Sequence, residues 1–153
     1  MDWTETEGLA VAYVIEVRDA RGARAPVGQP NPTARLSIYP VLRNTTDKPI
    51  HVCAFTPDQP FSVKMKTPTG SRKQGNLYPR PSNQKLNQRF FQKLEPGQTK
   101  SITYGLSLQL TELGEYQLDL AFKSTRDGKE FGLKDVWTGE LKLKTRKVKT
   151  PGG

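Results

Sequence analysis

The sequence predicts an all-β protein, built as a single antiparallel sandwich of two sheets with eight or nine strands. Apolar residues alternate with other residues along most of the chain, as in Leu9, Val11, Tyr13, Ile15 and Val17. Proline, glycine and asparagine recur about every 8 to 15 residues and bound each alternating segment. At 153 residues, the chain suits one domain of ordinary size.

The strands follow in order from the N-terminus. The first spans residues 9–17, and a proline-rich loop at 26–32 separates it from a second strand that ends at Asn44. Pro40 lies inside the second strand and removes a backbone donor, which predicts a sheet edge or a bulge there. Residues 106–113 fit either the end of a strand or one short helical turn. Further strands are predicted at residues 50–55, 61–65, 89–94, 101–106, 116–122 and 136–145.

One long segment, residues 71–88, lacks any sustained apolar period and is rich in asparagine, glutamine and basic residues. The pattern predicts a long basic loop, and loops beyond about 12 to 15 residues are uncommon in compact domains unless they are functional or disordered. We expect the domain itself to span residues 1–145, and residues 146–153 to form a basic, flexible C-terminal tail.

Four short motifs occur in a fixed order along most of the chain. They are Trp3 with Gly8-Leu9, the run from Leu42 to Ile50 (LRNTTDKPI), the LEPGQ turn at 94–98 and Gly114-Glu115-Tyr116. This order resembles bacterial immunoglobulin-like accessory domains of the intracellular proteinase-inhibitor-like and peptidase-associated type. The resemblance implies an immunoglobulin-like Greek key and a non-catalytic role, and it carries over no functional residues.

Gly114 stands two residues before Tyr116, which resembles the tyrosine corner of Greek-key domains. In such a corner the tyrosine is buried and its hydroxyl bonds to backbone a few residues upstream. The resemblance therefore implies a buried Tyr116 whose hydroxyl contacts the backbone near residues 110–113.

The net charge of +9 is concentrated in two segments. Residues 59–94 hold eight basic residues and no acid, and residues 142–153 hold five basic residues and no acid. The rest of the chain carries slightly more acidic than basic groups. Two acid-free segments indicate an electropositive surface if folding brings them together.

The sequence offers little for catalysis or metal binding. Cys53 and His51 are each the single residue of their type, which excludes an internal disulfide, a cysteine-rich zinc site and a paired-histidine copper site. The two residues are two positions apart on one face of a predicted strand, and no further ligand pair accompanies them. We therefore expect a protein that is not an enzyme and that needs no cofactor.

Binding is the function class that the charge pattern favours. The predicted function is a structural or interaction subunit that docks through its basic loop and tail onto an acidic partner surface within a protein assembly. A basic nucleic-acid-associated protein is the alternative, since lysines and arginines bind phosphates and a nearby tyrosine can stack on bases. The predicted contact residues are Arg72, Lys73, Tyr78, Arg80, Lys85, Arg89, Arg146, Lys147 and Lys149.

No apolar run approaches the roughly 18 residues that a membrane span requires, so we expect no membrane-spanning segment. The first seven residues are acidic where a signal peptide is basic, and no apolar segment with a cleavage site follows them. As written, the sequence predicts a cytoplasmic protein. A domain taken from a larger exported protein is the alternative, and the sequence leaves the oligomeric state open.

Overall fold

The structure is a computed structural model that describes residues 1–20, 22, 24–54, 60–76, 85–102 and 106–151. In these residues the chain forms thirteen β-strands and two 3-10 turns, Gln88–Phe90 and Lys129–Phe131, without an α-helix. The strands are β1 (Thr4–Thr6), β2 (Leu9–Asp19), β3 (Ala34–Asn44), β4 (Ile50–Cys53), β5 (Phe61–Lys66), β6 (Arg72–Asn76), β7 (Phe91–Leu94), β8 (Thr99–Ser101), β9 (Leu106–Leu110), β10 (Glu115–Ser124), β11 (Val136–Trp137), β12 (Gly139–Lys142) and β13 (Arg146–Lys149).

The strands pair in three sheets, where the sequence predicts two. The first sheet has the order β1-β2-β3-β8, with β9 also paired to β3. The second has the order β12-β10-β5-β6, with β13 paired to the other half of β10. The third has the order β11-β4-β7. Almost all pairs are antiparallel, as predicted, and the exception is the short parallel pair of β11 with β4.

One continuous hydrophobic core joins the three sheets. The aromatic rings at its centre come from different strands: Phe61 lies 4.7 Å from Phe122, and Phe122 stacks on Trp137 at 5.6 Å between ring centroids. Tyr13 meets Phe61 edge to face and donates its hydroxyl hydrogen to the carbonyl of Ala121 at 2.7 Å. The period-two pattern therefore predicts the buried face of these strands correctly.

The sequence predicts a sheet edge or a bulge at Pro40. The edge is wrong because β3 is paired on both sides, whereas a change of register beside Pro40 agrees with a bulge. The proline falls where the partner of β3 changes. β9 pairs with residues 34–38 and β8 with residues 41–43, in registers that differ by two residues. The Pro40 carbonyl still accepts a hydrogen bond from the Ile102 N–H at 2.9 Å. Pro40 has no backbone N–H to donate, and it lies where the hydrogen-bond ladder along β3 is interrupted.

The predicted long loop contains a strand. Arg72–Asn76 form β6 and pair with Ser62–Lys66 of β5, so these residues of the segment 71–88 are not a loop. Residues 77–84, which include Tyr78 and Arg80, lie outside the described residues. Periodicity does not reveal β6 because this strand ends the order of the second sheet, and an edge strand is commonly polar.

The predicted flexible tail also contains a strand. Arg146–Lys149 form β13 and pair with Glu115–Leu118 of β10. Val148 packs against the core, and the buried Thr150 accepts the Gly114 N–H at 2.9 Å through its Oγ1. A single apolar residue among lysines and an arginine gives no visible alternation, which explains why the sequence pattern indicates a free arm here.

The tyrosine corner geometry at Tyr116 matches the expectation. Tyr116 is 2% exposed, and its hydroxyl donates to the Glu112 carbonyl at 2.9 Å and accepts from the Glu112 N–H at 3.0 Å. Burial raises the pKa of the phenol above its ordinary value. Gly114 turns the chain between these residues with φ of 127°, a conformation that favours glycine.

Asn44, at the end of β3, is fully buried and forms a second set of side-chain hydrogen bonds. Its Nδ2 donates to the carbonyls of Lys48 at 2.6 Å and Leu94 at 3.0 Å. Its Oδ1 accepts from the N–H and the hydroxyl of Thr46 at 2.9 and 2.7 Å. This one side chain thereby ties the first sheet to the β3–β4 turn and to the end of β7 in the third sheet.

Replacing Asn44 by alanine is expected to lower the free energy of unfolding by about 3 kcal/mol or more, because buried backbone groups lose their partners. Chemical denaturation measures the change. Thr45→Ala is the matched control, since Thr45 is exposed and its hydroxyl bonds only the exposed Glu5 carboxylate at 2.8 Å. Equal effects of the two substitutions would contradict a special role of Asn44.

Tyr116→Phe is expected to cost on the order of 1 kcal/mol through the lost hydroxyl contacts. Because the folded-state pKa is raised, the tyrosine contributes its stability below its unfolded pKa of about 10 and loses it as the pH rises further. Melting curves from pH 8 to 11 should therefore converge for the wild type and the variant. A constant gap across that range would contradict the assignment.

Removing residues 146–153 is expected to lower the free energy of unfolding by about 2 kcal/mol or more, because β10 loses its pairing with β13 and Val148 leaves the core. Thermal melts of the truncated chain test this. Removing only residues 151–153 is the control and should leave the melting temperature nearly unchanged. Identical melting curves for both truncations would mean that residues 146–153 form a flexible tail, as the sequence predicts.

Candidate interaction surface

The second sheet turns one face to the core and the other to solvent. Burial alternates along β5, where Val63 and Met65 are buried and Lys64 and Lys66 are exposed. The same alternation along β10 buries Leu118 and leaves residues 117 and 119 on the outer face. The outer face of this sheet therefore carries side chains that the core does not use.

Basic side chains from both acid-free segments meet on this outer face. Gln117 of β10 lies between Lys147 of β13 on one side and Lys66 of β5 on the other. Lys66 is in turn opposite Arg72 of β6. With strands about 4.8 Å apart, this row of four positions extends about 14 Å across the sheet. We call the outer face of the second sheet, with its cations Lys64, Lys66, Arg72, Lys123, Lys142, Lys147 and Lys149, the basic face.

The acidic groups on the basic face lie on its β10 and β12 side. Glu115 is opposite Lys149 and forms an ion pair with Lys147 at 3.8 Å. Asp119 is opposite Lys64 and accepts a hydrogen bond from the Thr145 hydroxyl at 2.7 Å. The neighbouring cations are partly balanced there, so the positive charge is strongest toward β6.

A shallow hollow lies at this positive end of the basic face. Its walls include Lys64, Lys66, Arg72, Gln117 and Asp119. Most lining side chains are long and charged, and the hollow is open to solvent. Such a surface favours contact with a charged partner over enclosure of an apolar small molecule.

The β5–β6 hairpin that carries half of the basic face is fixed at its turn. The Thr67 N–H donates to the Ser71 carbonyl at 2.8 Å, and the Thr69 hydroxyl donates to the Glu112 carboxylate. The Thr69 hydrogen bond is the main cause that lowers the pKa of Glu112, and the positive charge of Lys73 contributes. Since Glu112 also contacts the Tyr116 hydroxyl, the hairpin is joined to the tyrosine corner.

Of the predicted contact residues, the structure brings Arg72, Lys147 and Lys149 together on the basic face. Lys73 is opposite Met65, on the other face of the hairpin by register, but it is exposed at the edge and also lines the hollow. Arg146 is opposite Leu118, on the core side, and forms an ion pair with Asp2 at 3.5 Å.

The other predicted contact residues are not placed on the basic face. Lys85 and Arg89 are exposed, but they precede β7 and belong to the part of the chain that enters the third sheet. Tyr78 and Arg80 lie outside the described residues. The sequence interpretation missed Lys64 and Lys66, which it assigned to a strand and not to the contact set. Their alternation with Val63 and Met65 is the signal that identifies them as solvent-facing.

His51 and Cys53 lie in β4. Cys53 is buried opposite Phe91, and His51 Nδ1 lies 3.3 Å from the Lys134 carbonyl. Across the described part of the chain, no group of three or more histidine, cysteine, aspartate or glutamate residues is arranged to hold a metal ion. Within the same residues, no helix has the length and apolar character needed to cross a bilayer.

Comparison with known proteins finds a solved structure with a similar fold, but it does not assign this chain to a family. No family model matches this chain, and no curated protein matches it. A solved structure does match. The putative ApaA protein from Bordetella pertussis has 10% identity to this chain and a TM-score of 0.56, over 97% of this chain and 100% of that one. At this identity the likeness shows a shared fold alone.

Proposed function

We propose that this protein is a non-enzymatic interaction subunit that docks onto an acidic surface of a partner protein. The observation that carries the proposal is the row Lys147, Gln117, Lys66 and Arg72, in which both acid-free segments of the sequence contribute to one sheet face. Charge placed on a single face steers a partner of opposite charge and fixes its orientation.

The rigidity of the basic face supports docking. Its cations project from paired strands, and the β5–β6 hairpin is anchored through Thr69 and Glu112. Side chains on a fixed backbone lose less conformational entropy on binding than side chains of a flexible loop do. The proposal therefore assigns to the paired strands of the second sheet the docking role that the sequence interpretation gave to a loop.

The composition of the basic face favours a protein partner over nucleic acid. Glu115, Asp119 and Glu140 stand among the lysines, and a phosphate backbone that crosses the whole face would meet these carboxylates. Among the described residues, the face presents no aromatic side chain on which an unpaired base could stack. A protein surface with mixed charges matches this pattern more closely than a uniform polyanion does.

We also infer that the three sheets form an immunoglobulin-like sandwich of the accessory-domain type. The Tyr116 corner and the buried Asn44 that closes the Asn-Thr turn support this inference. In this architecture the first sheet and the second sheet are the two layers, and the basic face is the exposed surface of the second layer.

The binding test compares an acidic peptide of glutamates with single-stranded DNA of the same charge, by fluorescence anisotropy at two salt concentrations. The test variant replaces Lys64, Lys66, Arg72 and Lys147 by glutamine. The control variant replaces Arg24, Lys48, Lys129 and Lys134 by glutamine, since these residues are also exposed and their loss reduces the net charge equally. We expect about a tenfold loss of peptide affinity for the test variant and a much smaller loss for the control.

Two results would contradict the proposal. Equal losses for the two variants would mean that net charge, and not the basic face, determines binding. Tighter binding of the DNA than of the peptide, with a loss confined to the test variant, would support the nucleic-acid alternative at the same surface.

A further inference from the structure

Among the strands that the structure describes, none pairs with the outer side of the second half of β2, which is therefore an open edge of the first sheet. β1 pairs only with residues 9–11 of this eleven-residue strand. Beyond that point β2 pairs only with β3 among the strands that the structure describes. Residues 14–18 of β2 thus form an edge of the first sheet, whereas the basic face belongs to the second sheet.

The hydrogen bonds at the two ends of β2 fix which backbone groups point to this edge. The Gly8 carbonyl accepts the Thr45 N–H at 2.9 Å, and the Ala20 N–H donates to the Thr33 carbonyl at 3.1 Å. Even-numbered residues of β2 therefore direct their N–H and C=O groups toward β3, because these directions alternate in an antiparallel ladder. Ile15 and Val17 direct theirs to the open edge.

The side chains along the edge carry opposite charges two residues apart. Glu16 and Arg18 are both exposed on the outer face and form an ion pair at 3.2 Å. Arg18 is directly opposite Arg35 of β3, so two like charges are neighbours across the ladder. A carboxylate supplied from outside β2 would relieve that repulsion.

We propose that β2 pairs with β2 of a second copy of this chain, antiparallel and centred on Val17. In this register Glu16 of each copy is opposite Arg18 of the other, at positions where antiparallel side chains are closest. Val17 of the two copies exchange backbone hydrogen bonds. The first sheets of the two copies become one continuous sheet.

The charges of Glu16 and Arg18 favour a second copy as the partner and favour the register that is centred on Val17. A shift of the two-fold axis to residue 16 places Glu16 of one copy opposite Glu16 of the other, which is unfavourable. Ile15 and Val17 pack partly against the core of their own domain, and the added strand covers their remaining apolar surface. An acidic or a basic partner strand complements only one of the two charges, whereas a second copy complements both.

Sedimentation equilibrium of the full chain over micromolar to millimolar concentration tests the proposal. We expect the average mass to rise from monomer toward dimer. Arg18→Glu should weaken the dimer about tenfold or more, because each Glu16 then faces a glutamate. The double variant Glu16→Arg with Arg18→Glu restores opposite charges in the same register and should recover the wild-type dissociation constant. Thermal melts of each variant establish that it is folded.

Val17→Pro is a second, charge-independent test. It removes an N–H that points to the open edge and that the β2–β3 ladder does not use. A folded Val17→Pro variant should be monomeric throughout the concentration range.

A wild-type chain that stays monomeric would overturn the proposal and would mean that Glu16 and Arg18 protect the edge from pairing. A dimer that survives both Arg18→Glu and Val17→Pro would place the contact elsewhere.

Discussion

The buried Asn44 amide is the interaction on which the arrangement of the sheets depends. A polar side chain without solvent contact is stable only when its hydrogen-bonding groups are paired, and Asn44 pairs with Lys48, Leu94 and Thr46. These partners belong to the β3–β4 turn and to the end of β7. The first sheet is therefore joined to the third at this point through one side chain.

The sequence predicted strands well where the apolar alternation is strong, because core burial imposes that pattern directly. β2, β5 and β10 were predicted on this basis, and Tyr116 has the hydrogen bonds that the corner motif implies. The weakly patterned strands were missed. β6 is a polar edge strand, and β13 contributes only Val148 to the core, so composition alone suggested a loop and a tail. The division into three sheets depends on long-range pairing, which local patterns do not encode.

The sequence predicts that an electropositive surface exists, but it does not predict which residues form that surface. Two acid-free segments indicate an electropositive surface, but the sequence assigns all of the contact residues except Arg89 to a loop or a tail. The register of β10 determines which of them meet, because it accepts β5 on one side and β13 on the other. A shift of β13 by one residue would place Arg146 on the basic face and turn Lys147 to the core. Charge counts along a sequence cannot distinguish these two outcomes.

The two proposed contacts lie on different sheets, and this separation has a consequence for binding strength. A dimer formed through β2 presents two basic faces on one particle, since neither face takes part in the β2 edge. A partner with two acidic surfaces at a suitable spacing then binds both faces, and the second contact forms at a high effective concentration. Individually weak, salt-sensitive contacts become a stable association in this way. Weak self-association at the edge would thus set the strength of docking at the basic face without adding a contact to it.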